Sequence, residues 1–112
     1  LKDVRGIRCV EQVGQKVAND AYFPIMIDPE YPMSRDELYQ YLAENKIRCR
    51  RYFYPLISAF PMYRGTPSAA ISNLPTASRV ASSIICLPIY PNLSDAEVEA
   101  IVALISKPGR PA

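Results

Sequence analysis

Two capping boxes constrain this 112-residue chain more than anything else in it. Ser34-Arg35-Asp36-Glu37 and Ser94-Asp95-Ala96-Glu97 each set a serine three residues ahead of a glutamate. In that pattern the serine oxygen and the glutamate carboxylate each satisfy an orphan amide of a first helical turn. After the first box Leu38, Tyr41, Leu42 and Asn45 recur at helical spacing, which predicts a helix from about Arg35 to Asn45. After the second, Val98, Ile101, Val102 and Ile105 form one apolar face, and Pro108-Gly109 stops the helix. Such helices need a surface to pack on. Tyr22 to Asp28 reads as a strand, with Pro24 indicating an edge position, and Gly6 to Val10 as a shorter one. Thr76 to Ile84 carries Ala77, Val80, Ala81 and Ile84 on one stripe, with Pro75 suited to the first turn of that helix. Ile84 to Leu87 continues as a brief buried strand. The order predicts an α+β domain, its helices packed on a small, mainly antiparallel sheet.

Between the first helix and a proline-rich loop lies Lys46-Ile47-Arg48-Cys49-Arg50-Arg51-Tyr52-Phe53-Tyr54-Pro55. Read as a strand, it puts Ile47, Cys49, Arg51 and Phe53 on one face and Arg48, Arg50, Tyr52 and Tyr54 on the other. Two guanidinium groups beside two phenols suit an anionic, ring-bearing ligand. A solvated edge strand whose arginine stems shield aromatics is the plainer reading. Residues 55 to 73 hold Pro55, Pro61, Gly65 and Pro67, and a loop of that length in a compact domain is usually functional or mobile.

Composition narrows the chemistry. Hydrophobic residues make up 49% of the chain, enough for a packed core. The net charge of +2 makes a nucleic-acid surface a poor first guess. Histidine is absent, which removes the usual general base and the commonest metal ligand. Cys9, Cys49 and Cys86 have neither metal-ligand spacing nor even number, so small buried thiols in a reducing, cytoplasmic setting are expected. No apolar run reaches membrane-spanning length. The chain opens without methionine and reads as a piece of something longer.

Four phrases in order carry a more specific resemblance: Arg50-Arg51-Tyr52-Phe53-Tyr54-Pro55-Leu56, Phe60-Pro61-Met62-Tyr63, Leu74-Pro75-Thr76-Ala77-Ser78-Arg79, and Cys86-Leu87-Pro88-Ile89-Tyr90-Pro91-Asn92-Leu93-Ser94. Over about Tyr22 to Ser106 the chain resembles the C-terminal small domain of the DegT/DnrJ/EryC1/StrS aminotransferases. The resemblance implies the C-terminal-domain fold of fold-type I enzymes, dependent on pyridoxal phosphate (PLP) and aminating nucleotide-linked keto-sugars for deoxyamino sugar biosynthesis. It implies an amino donor, typically glutamate, that charges the cofactor before the amine passes to the sugar. The Schiff-base lysine and the cofactor cup belong to the preceding large domain in that family. Lys2, Lys16, Lys46 and Lys107 have no matching surroundings, so this stretch alone is expected to bind no cofactor and to be inactive.

On that basis residues 1–20 are expected to be a linker or the end of a preceding segment, 21–107 the small domain and 108–112 a tail. Arg50 is the expected contact to sugar or diphosphate, since a guanidinium fork suits phosphate oxygens. Tyr54 is expected to line the pocket, with Tyr52 grouped beside Arg50. Phe53 stands where some relatives carry histidine, which leaves sugar identity open. Tyr63 and Arg64 sit in the long loop. A homodimer is implied, with no nucleic acid and no membrane as partner. The alternative from the residues alone is a stand-alone binding module that uses the Arg/Tyr face on RNA or an acidic ligand.

Overall fold

The computed structural model describes residues 1–11, 14 and 19–109. Lys16 and the end of the expected tail at 110–112 lie outside the described residues. Strands β1 (Ile7–Cys9), β2 (Phe23–Ile27) and β3 (Ile84–Leu87) form an antiparallel sheet in the order β1-β2-β3. Helices α1 (Arg35–Glu44), α2 (Pro75–Ser83) and α3 (Asp95–Ser106) complete the regular structure among the described residues. The chain is therefore α+β, as its sequence predicts.

Both capping boxes form. Ser34 and Ser94 each accept the amide of the glutamate three residues on, and each glutamate accepts the serine amide in return. The alternation of β2 and β3 sends Ile25, Ile27, Ile85 and Leu87 into one core with Leu38 and Leu42 of α1 and Ile101 and Ile105 of α3. Met26, Ile84 and Cys86 are buried outside that core, and α2 packs against β2. Each fully buried Leu or Ile here contributes on the order of 1.5–3 kcal/mol of apolar transfer. Val98, expected on the apolar face of α3, is 42% exposed, so the buried stripe begins a turn later.

Two expectations are corrected. Pro24 does not mark an edge, because β2 is the central strand. Its partner Cys86 spends both backbone groups on the other side, donating to the Arg50 carbonyl at 2.8 Å and accepting the Arg50 amide at 3.0 Å. Pro24 is thus asked for no donor toward β3, and its own carbonyl accepts the Val10 amide at 3.4 Å, just past the end of β1.

The second correction concerns residues 46–55, which do not form a strand. Only Arg50 pairs, as an isolated bridge to Cys86. Lys46 and Phe53 both take positive φ, 65° and 47°, which breaks the extended run at each end. Lys46 closes α1 in a Schellman arrangement: its amide bonds the Ala43 carbonyl at 3.0 Å, and the Ile47 amide bonds the Leu42 carbonyl at 2.8 Å. Ile47 then packs on the core beside Leu42. The alternating faces predicted for this stretch do not exist beyond Arg50. The following loop is built from three single 3-10 turns, Ile57–Ala59, Pro67–Ala69 and Ile71–Asn73.

Candidate functional site

A groove of about 750 Å³ opens where the Arg50 bridge borders β3. Its floor and walls come from Arg48, Cys49 and Arg50 on one side, Cys86 to Tyr90 along and beyond the end of β3, Leu93 from the turn before α3, and Glu97 and Ile101 from α3, with Tyr22 at the rim. Arg48 and Arg50 are exposed, and neither makes an ion pair among the described residues. Glu97 is the groove's carboxylate, yet it is already engaged. It accepts the Ser94 amide and hydroxyl, both at 2.8 Å, and the Tyr90 hydroxyl at 3.5 Å. Those bonds, the Ser94 amide foremost, hold its carboxyl below the usual range, so it stays an anion committed to the helix cap. The groove thus offers two uncommitted guanidinium groups and two phenols.

Its thiols are not nucleophiles. Burial pushes Cys49 up to about 11, helped by nearby Cys86, and burial raises Cys86 against the opposing pull of Arg50. Both remain protonated at neutral pH and act as small apolar fillers.

The structure separates the residues singled out from the sequence. Arg50 lines the groove. Tyr52 turns away from it to pack edge-on against Tyr22 at 5.1 Å between centroids, and it leans on Phe53 at 4.2 Å. Phe53 is 68% exposed. Tyr54 lines a second, largely apolar hollow of about 580 Å³ with Pro55, Leu56, Arg64, Ile71 and Ser78. Tyr63 and Arg64 are exposed, and Arg64 alone of the two lines that hollow. The cause of the separation is the turn at Phe53, which redirects the chain between Arg50 and Tyr54.

Tyr22, Tyr90 and Arg35 were not legible as site residues. Tyr22 and Tyr90 reach the groove because β2 begins where β3 ends, Phe23 pairing with Leu87. Arg35 is the buried charged residue among those described, 3% exposed, with its Cζ 4.4 Å from the centre of the Tyr54 ring. One signal pointed to it: a cation in a helix's first turn opposes the helix dipole and needs another reason to be there.

Comparison with known proteins agrees with this architecture. The sequence profile of the DegT/DnrJ/EryC1/StrS aminotransferase family matches residues 1–106. A dTDP-4-amino-4,6-dideoxy-D-glucose transaminase of Escherichia coli is 51% identical over 88 residues, 79% of this chain and 24% of that protein. The Shigella dysenteriae protein of the same name is 42% identical over 105 residues, 94% of this chain and 28% of that one. The chain thus spans about a quarter of the length of these curated relatives. In fold it is similar to the aminotransferase TlmJ of Streptoalloteichus hindustanus, with a TM-score of 0.76 and 23% identity, over 95% of this chain and 27% of that one. With a family profile spanning nearly all of its residues, the chain belongs to the DegT/DnrJ/EryC1/StrS aminotransferase family.

Proposed function

We propose that this chain is the C-terminal small domain of a PLP-dependent aminotransferase that aminates a nucleotide-linked keto-sugar, and that it forms one wall of the substrate site. The observation that carries the reading is the pair of guanidinium groups, Arg48 and Arg50, without ion pairs among the described residues, on a groove edged by Tyr22 and Tyr90. A diphosphate matches guanidinium forks, and a base ring matches phenol faces. A dTDP-linked sugar, the substrate type in the relatives' names, has both. Arg50 takes the diphosphate in this reading, and the sugar extends past the Phe53 turn toward the hollow lined by Tyr54, while Tyr52 supports Tyr22 at the groove rim. The domain takes residues 21–107 together with β1, which pairs with β2 and buries Ile7 in the core; in this reading the chain around β1 leads from a large domain and 108–112 are a tail.

Among the described residues no lysine fits the cofactor. Lys2, Lys46 and Lys107 are all exposed, whereas a Schiff-base lysine works in a desolvated setting. In this reading the cofactor belongs to the large domain, and this chain alone is inactive. Glutamate as donor, a homodimer and a cytoplasmic location complete the proposal. No helix among the described residues is long and apolar enough to cross a membrane.

The test uses the full-length parent, purified with its cofactor absorbance intact. Arg50→Ala is expected to raise KM for the nucleotide-linked sugar by about 10- to 100-fold, the loss of one charge-assisted contact. The donor half-reaction with glutamate should be unchanged. A sugar KM that stays at the wild-type value defeats the assignment.

A further inference from the structure

A buried arginine normally needs a carboxylate that faces it with full hydrogen bonding. Arg35 lacks one. Its Nε lies 3.0 Å from Asp36 Oδ1 but makes no hydrogen bond, and Nη1 donates to the Ile84 carbonyl at a long 3.5 Å. Its closest well-formed partner is an aromatic face, the Tyr54 ring at 4.4 Å. Arg51 stands 5.1 Å from the same ring and 4.9 Å from Tyr39, and its Nη1 is 3.4 Å from the Asp36 carboxylate. One carboxylate therefore spans two guanidinium groups, and both guanidinium groups address one phenol.

As a stabilising device this is poor. A buried ion contact of this quality is often matched by an apolar side chain of similar volume, and the cation also opposes the α1 dipole. What the arrangement does supply is orientation. The Tyr54 ring is held from α1 by Arg35 and from its own segment by Arg51, while Tyr54, 46% exposed, lines the apolar hollow. Cation–π attraction is strongest when desolvated, as at Arg35.

We propose that Arg35 is a positioning residue. With Asp36 and Arg51 it fixes the Tyr54 ring, so that the phenol meets the sugar in a set direction. This inference rests on the reading above that Tyr54 borders the substrate.

The experiment compares both half-reactions of the full-length parent. Arg35→Met keeps the volume and removes the charge; Arg35→Lys keeps a cation near the ring. Arg35→Met is expected to raise the KM for the nucleotide-linked sugar about tenfold, the size of one desolvated cation–π contact, and to leave the glutamate half-reaction unchanged. Arg35→Lys should recover part of that loss. In Arg35→Met/Tyr54→Ala the sugar KM should be no higher than in Tyr54→Ala alone. Equal losses in both half-reactions, or additive effects in the double variant, overturn the positioning role. A Tyr54→Ala enzyme with unchanged sugar KM overturns the substrate reading beneath it. If Tyr54→Ala impairs the enzyme and Arg35→Met does not, only the positioning role falls.

Discussion

At Tyr31 a phenol in the turn after β2 is 5% exposed and donates to the Ile105 carbonyl at 2.8 Å, tying that turn to the last buried turn of α3. The bond closes an otherwise unmet carbonyl near a helix end. Tyr31→Phe leaves that carbonyl without its partner and should cost about 1–2 kcal/mol, read as a lower urea midpoint with unchanged slope. Burial, then the proximity of Tyr41, pushes the phenol up to about 12 from an ordinary 10.0. A group whose pKa is raised on folding contributes stability that is whole below its unfolded value and fades as pH rises through the folded one. Stability should therefore fall between about pH 10 and 12, and Tyr31→Phe should flatten that limb. Nothing in Pro29-Glu30-Tyr31-Pro32 announces this, because the partner lies far along the chain. Gly6 is different. Its φ of 80° and the Tyr31 backbone, which would collide with any Cβ there, explain the break that its sequence context suggests.

Elements whose signals are local were legible, and those decided by distant partners were not. The serines and glutamates of the two boxes, and Pro75 opening α2, fix helix starts without reference to anything else in the fold. The end of α1 was hidden, because a Schellman turn usually announces itself with glycine and here carries Lys46. Arginine–aromatic alternation then imitated a strand, although only Arg50 has a neighbour free to pair with it. Residue type and the family resemblance marked Arg50 for an anion, but the groove it lines and the redirection of Tyr54 are set by the fold. The turn itself makes a prediction. A non-glycine residue at φ 65° carries a left-handed penalty of about 1–2 kcal/mol, partly offset by the extra unfolded-state freedom of glycine. Lys46→Gly should therefore stabilise the chain by about 0.5–1 kcal/mol in thermal unfolding. A destabilised variant would mean that the lysine stem makes compensating contacts.

At the scale of the molecule, apolar surface is distributed unevenly. Phe53, Ile57, Met62 and Ile71 are 68%, 67%, 71% and 76% exposed, all within the short stretch between the Arg50 bridge and α2. The three 3-10 turns close their own backbone hydrogen bonds locally, so this segment holds its shape without burying those side chains. A monomer rarely leaves so many large apolar groups together in water. The chain spans about a quarter of its curated relatives, and a longer parent offers a surface to cover this one. Taken alone, the 112-residue chain should bury it against itself. Light scattering should report a mass that rises with concentration, and Ile57→Ser/Met62→Ser/Ile71→Ser should return it to a monomer. The α1 and α3 core contains none of these three residues, so the far-UV dichroism of the triple variant should match wild type. A wild-type chain that stays monomeric at high concentration would show that the loop folds its apolar groups inward in solution, and the wall it presents to a partner region would have to be redrawn.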